Sequence, residues 1–361
     1  MTDKKLLEFL CKETTFEEIG NEQLLHQEPS FGEMVGAAIN SGTLLEVTKQ
    51  LSDSLTDMDL YKACLLSHLI GFACEKEKST AAGEGVVTLL ASTCEAVYEM
   101  LKSMEVDETC QLPSDLHALY QSNPRHLRAY YGLETLCIAS MAFLTRDKKL
   151  RYLLRSKKLR EKIKYLAEET PSCPQLNSIY YVNRMQNTCS DLKLLVLHPD
   201  KKQGFLAVAN DLDNCFHLIF LLEEQIAKTM GSQYGMSGFT ADPILSELAH
   251  GAYPQEAQDR SYTTFFTEFN YGMLQKKEDL TGSAQDILSY LIWGEMPPEA
   301  IPYVDEHAVI VLTDPRMHRS FDSSFMSVPH TALHPYVRIE RELTAAEYDT
   351  WLRQIQAVSV R

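Results

Sequence analysis

The spacing of apolar residues changes near residue 188, and this change constrains the fold more than any other feature of the sequence. Before it, apolar side chains recur every three or four residues, as between Val87 and Met104, which is typical of helices with one buried face. After it, short apolar runs end in polar turns, which is typical of strands. The sequence therefore predicts an α+β chain, with residues 1–187 forming an all-α helical array and residues 188–361 forming a mixed, mainly antiparallel α+β domain.

Two segments of the first part carry more specific expectations. The stretch from Leu65 to Ala73 is apolar almost all the way round, which predicts a helix through the centre of its domain. In residues 146–165 the apolar positions form two stripes that are out of phase with each other. We therefore expect two short helices here, with a break near Ser156.

The strand signals of the second part are local. The runs Leu192–Leu197 and Gly204–Ala209 flank a polar turn and predict a β-hairpin. The run His307–Leu312 is the strongest strand signal, and we expect Asp314 and Pro315 to end it.

The C-terminal segment combines an alternating run with a helix start. Residues 336–340 alternate as a strand does, and Thr344 precedes Glu347 by three residues. This spacing predicts a capping box, in which each residue bonds the other's backbone amide, at the start of a last amphipathic helix.

Charge and cysteine content bear on compartment and partner. The chain has 34 Lys and Arg against 50 Asp and Glu, a net charge of −16, which disfavours nucleic acids and anionic membranes as partners. We expect no secretory signal and no membrane span. Nine cysteines without a C-x-x-C pair predict reduced thiols in a cytoplasmic protein without a cofactor.

Residues 146–165 are strongly basic, with ten Lys and Arg against two acidic residues. One interpretation is a solvated face whose charge meets acidic helices of the same molecule. The other is a docking face for an acidic protein, a phosphate group or, less favoured, a nucleic acid, since few aromatic residues are available for base stacking. The partner-binding candidates are Lys148, Lys149, Arg151, Arg155, Lys157, Lys158 and Arg160.

Asp211 and Asp213 directly follow an apolar run, and two carboxylates at a strand end can hold a divalent cation. The alternative is a polar turn that caps the next helix.

Residues 314–334 are rich in histidine and hydroxyl side chains and are predicted to form a loop. Polar residues that follow a strong strand suit a binding or catalytic loop, so Asp314, Arg316 and His318 are catalytic candidates. His330 and His334 have the spacing of a helical metal pair, but prolines bracket them, so they are weak metal candidates and ordinary loop histidines are favoured.

These observations favour a cytoplasmic protein-interaction module that binds a macromolecular partner, with the acidic charge steering a basic one. An immunity-type antagonist of a basic toxin would be one such protein. The alternative is a metal-dependent hydrolase or transferase that uses the 314–334 loop or Asp211 and Asp213. The oligomeric state is left open.

Overall fold

The computed structural model describes residues 4–104, 112, 115–170, 172–230, 242–257, 261–275 and 288–358. At 230, 257, 262–267 and 314–319 this description covers the backbone alone. The chain divides into two compact units, Met1–Gln186 and Asn187–Arg361, which we call the helical unit and the mixed unit. The predicted α+β fold class is confirmed, since helices dominate the first part and a mixed sheet follows.

The helical unit contains ten described helices in chain order. They are α1 (Lys4–Cys11), α2 (Pro29–Ser41), α3 (Leu44–Ser52), α4 (Leu60–Lys76), α5 (Gly83–Ser103), α6 (Leu116–Ser122), α7 (Pro124–Leu144), α8 (Lys148–Leu153), α9 (Lys157–Glu168) and α10 (Ile179–Asn187). The predicted break near Ser156 is confirmed: Ser156 lies between α8 and α9, and its hydroxyl accepts a hydrogen bond from the Leu159 amide as the cap of α9.

Helix α7 packs against both α4 and α5 and is the centre of the helical unit. Two glycines allow its close approach to α4. A Cβ added at Gly71 would lie 2.8 Å from the Ala139 carbonyl oxygen, and one at Gly132 would lie 2.8 Å from Cys64 Sγ. The small residues therefore set the distance between the two helix axes.

The mixed unit alternates strands and helices. They are β1 (Leu192–His198), β2 (Gln203–Asn210), α11 (Cys215–Met230), α12 (Pro243–Ala249), β3 (Ser261–Phe269), α13 (Gly272–Gln275), β4 (Tyr303–Val304), β5 (His307–Asp322), β6 (Tyr336–Glu342) and α14 (Ala345–Ala357). The predicted hairpin is confirmed, because β1 and β2 pair antiparallel with Leu195 opposite Leu206.

The strands form one sheet in the order β3-β5-β1-β2-β6, and β4 pairs with β5 off this path. Only β1 and β5 run parallel among the described pairs, so the sheet is mixed and mainly antiparallel. The central strands are almost continuously apolar and buried, as Leu194, Val196, Val309 and Ile310 are, because layers cover both faces.

The predicted loop at 314–334 is wrong in its first part, because β5 continues to Asp322. Pairing with β3 carries the strand onward, with Met317 opposite Phe266 and Leu312 opposite Glu268. Four residues of β5 thus lie opposite one of β3, and Pro315 is among these four. A proline has no backbone N–H to donate, and such an irregularity accommodates it within a strand.

The predicted capping box at the start of α14 is confirmed. The Thr344 hydroxyl accepts from the Glu347 amide at 3.3 Å, and the Glu347 carboxylate accepts from the Thr344 amide at 2.9 Å. Arg341 also bonds this carboxylate, at 2.9 Å.

We expect Glu347 to titrate far below an ordinary glutamate. The Arg341 hydrogen bond, followed by those from Thr344, lowers the pKa of Glu347 to about 2. A depressed folded-state pKa means that this contribution to stability is present above the ordinary value of 4.5 and is lost as the pH falls towards 2. Carboxyl-carbon NMR should show a midpoint near 2 that rises in Arg341→Ala; a midpoint near 4.5 in the unaltered protein would refute the pairing.

Most described cysteines are free, and all of these except Cys11 are buried. Burial raises the pKa of the Cys64 thiol to about 12, which makes it a poor nucleophile. Cys173, however, is disulfide-bonded, so the expectation of fully reduced thiols is wrong there. Sequence spacing excluded only a C-x-x-C pair, and cysteines far apart in the chain escape that argument.

In the described part of the chain, no helix has both the length and the apolar composition that crossing a bilayer requires.

Candidate functional site

A cavity of about 450 Å³ opens on the helical unit between α2, α4 and α7, with residues 22–26 at one side. We call it the helical groove. Leu25, Phe31 and Leu65 form its buried floor. The volume lies in the range of ligand pockets in proteins, which is roughly 300–1,000 Å³.

Helix α4 presents four residues to the groove at positions i, i+3, i+4 and i+7: Leu65, His68, Leu69 and Phe72. This spacing places them on one face of the helix. Phe72 is 62% exposed and His68 is also exposed. The all-round apolar sequence predicted a helix buried on every side, but this face of α4 is uncovered.

The facing helices contribute matching stripes. Phe31 and Val35 of α2 lie one turn apart, as do Glu134 and Ile138 of α7. Ile138 is 50% exposed, so two large apolar side chains, Phe72 and Ile138, stand at the opening. Monomeric proteins rarely leave contiguous apolar surface uncovered unless it serves an interaction.

The polar side chains of the groove are two carboxylates, two imidazoles and one hydroxyl. The Glu134 carboxylate accepts from the Ser178 amide at 2.8 Å and from its hydroxyl at 2.6 Å. Glu22 and His26 are exposed. None of the lining residues is Lys or Arg, so the groove carries negative charge on an apolar surface.

A second cavity of the helical unit, about 520 Å³, is more polar, but its buried charges serve the fold. The side chain of Asp59 is 1% exposed and pairs with Arg128 at 3.4 Å. Asp59 also accepts from the Thr14 amide and hydroxyl, and Arg128 donates to the Thr14 carbonyl at 2.8 Å. These groups fasten the segment after α1 to α4 and α7 and bind each other rather than a ligand.

The basic segment contributes several of its cations to ion pairs within the helical unit. Arg146 pairs with Glu75, and Lys162 lies 3.2 Å from Glu95 and 3.4 Å from Glu99. These contacts agree with the interpretation in which acidic helices of the same molecule meet the basic segment.

The partner-binding candidates themselves differ in exposure. Arg151 is buried, Arg155 and Arg160 are half-buried, and the four lysines are exposed, namely Lys148, Lys149, Lys157 and Lys158. Tyr152 and Leu153 of α8 are exposed beside them, at 52% and 47%. The exposed part of the segment is thus both basic and apolar.

Asp211 and Asp213 lie in the turn between β2 and α11. Asp211 has a φ of +55°, a left-handed conformation that aspartate tolerates, and its carboxylate accepts from the His334 amide at 3.1 Å. Asp213 accepts from the Asn214 side chain, and Asn214 accepts from the His217 amide in the first turn of α11. This geometry is that of a turn and a helix cap.

The structure brings Asp211 near His334, but through the histidine backbone rather than its ring. His330 Nδ1 accepts from the Ala332 amide at 3.1 Å and stabilises a local turn. Across the described residues, no group of three or more His, Cys, Asp or Glu is arranged to hold a metal ion.

The catalytic candidates Asp314, Arg316 and His318 lie in β5, not in a loop. Their backbone is described and their side chains lie outside the described residues.

Sequence reasoning missed the helical groove because its residues come from three distant segments, near 22–35, 65–72 and 134–138. The one available signal was the excess of apolar residues on α4, more than a single buried face requires. Comparison with known protein families, with curated proteins and with solved structures found no match.

Proposed function

We propose that this chain is a protein-interaction module and that the helical groove is where it holds its partner. The observation that carries the proposal is the pair of exposed apolar side chains, Phe72 and Ile138, above a buried apolar floor. Interfaces are centred on such apolar pockets with a polar rim. The groove offers shape and hydrophobic surface rather than a set of reacting groups.

The proposal keeps an immunity-type antagonist of a basic toxin as one concrete form, supported by the net charge of −16 and by the acidic groove. No contact among the described side chains favours the alternative of a metal-dependent hydrolase or transferase.

A second surface for the same function is the exposed face of α8 and the start of α9. Tyr152 and Leu153 are exposed there beside Lys157 and Lys158. A basic and apolar face of this kind fits an acidic protein.

We expect Phe72→Ser to remove the partner while leaving the fold intact. Because Phe72 is 62% exposed, its loss should change the free energy of unfolding by less than about 0.5 kcal/mol. Full burial of a phenylalanine contributes about 1.5–3 kcal/mol, so binding should weaken about tenfold or more. The measurement is quantitative affinity capture of tagged full-length protein from its own cells, compared between variants.

Two matched variants make this comparison specific. Ile39→Ser removes an apolar side chain that is 59% exposed but does not line the groove, and Leu153→Ser does the same on α8. A partner lost only in Phe72→Ser supports the groove, and a partner lost only in Leu153→Ser assigns binding to the α8 face. Equal capture by all variants would reject both surfaces.

A further inference from the structure

We propose that the occupant of the helical groove is a cationic amphipathic helix of the partner protein, an inference that rests on the proposed function. The groove is built from helix faces. Along α4, the apolar residues Leu65, Leu69 and Phe72 span two turns, about 10.5 Å at 1.5 Å per residue. Apolar side chains at i, i+4 and i+7 of a bound helix cover the same length.

The backbone of the occupant also favours a helix. The described residues of the helical unit form helices and turns, and no sheet edge borders the groove. An extended peptide would bury amide and carbonyl groups that find no partner on this surface, and such groups are costly to bury. A helix satisfies its backbone internally and presents only side chains.

The charge of the occupant follows from the lining residues. Glu22 and Glu134 carry carboxylates, and no Lys or Arg lines the groove. The two hydrogen bonds that Glu134 accepts come from Ser178, whose donors are neutral, so its negative charge is not cancelled by them. Lysine or arginine residues flanking the apolar stripe of a bound helix are therefore attracted, and acidic ones are repelled.

Two synthetic helical peptides of about 14 residues test this inference. Both carry leucine at i, i+4, i+7 and i+11; one has lysine at its flanking positions and the other has glutamate. Binding to the full-length protein is measured by fluorescence anisotropy at low and at physiological salt. We expect the lysine peptide to bind about tenfold more tightly at low salt, from two carboxylate contacts that salt screens.

Site-specific variants place the binding. Phe72→Ser should weaken the lysine peptide about tenfold. Glu22→Gln should weaken it about threefold at low salt, whereas Glu33→Gln, the same charge change on α2 outside the lining, should not.

Equal affinity for both peptides would overturn the charge of the proposed occupant, and failure of both peptides to bind would overturn the helix. Either result is distinguishable from failure of the proposed function, because Phe72-dependent capture of the natural partner is measured separately.

Discussion

Replacing Asp59 with asparagine should lower the free energy of unfolding by about 3 kcal/mol, because it leaves a buried arginine without its buried anion. The side chain of Arg128 is 8% exposed and that of Asp59 is 1% exposed. The substitution keeps the size of Asp59 and removes its charge. It also weakens the acceptor that serves the Thr14 amide, the Thr14 hydroxyl and the Lys62 amide at the start of α4. Urea unfolding followed by circular dichroism measures the change.

The nearby residue Asp57 is the matched control, since it is exposed and two positions away. Asp57→Asn should change the free energy of unfolding by less than about 0.5 kcal/mol. Adding Arg128→Met to Asp59→Asn should recover part of the loss, because the uncompensated charge is then gone. If Asp59→Asn is as mild as Asp57→Asn, the buried pair does not hold the segment after α1 in place.

Enlarging Gly71 should force α4 and α7 apart. A Cβ there would lie 2.8 Å from the Ala139 carbonyl oxygen and 2.9 Å from its Cα, and neither backbone atom belongs to a flexible side chain. Overpacking of this kind costs typically about 1–3 kcal/mol, and for Gly71→Val we expect the upper end, about 3 kcal/mol. Thermal and urea unfolding of the variant measure it.

Gly36 provides the opposite expectation on another helix. It lies inside α2, and a Cβ added there meets nothing within 4 Å. Gly36→Ala should therefore stabilise the protein by about 0.5–1 kcal/mol through helix propensity. Similar effects at both glycines would mean that Gly71 does not set the packing distance between α4 and α7.

Local chemistry explains why several elements were predictable from sequence. The hairpin of β1 and β2, the break at Ser156 and the Thr344 capping box each depend on residues that are close in the chain. In each case the apolar spacing and the polar residue at the boundary act together.

Features that depend on contacts between distant segments were not predictable. The chain continues as a strand past Pro315 because β3 pairs with it from about 50 residues away. The helical groove depends on which faces of α2, α4 and α7 remain uncovered, and periodicity alone predicted that α4 would be buried on every side.

Photo-crosslinking from the groove in living cells tests the central claim most directly. A photoreactive phenylalanine analogue is placed at position 138, which is 50% exposed at the groove opening, or at position 39, which is 59% exposed outside it. We predict one discrete crosslinked protein from position 138 that Phe72→Ser abolishes, and none from position 39. No product from position 138, or the same product from both positions, would contradict the assignment of the helical groove as the partner-binding site.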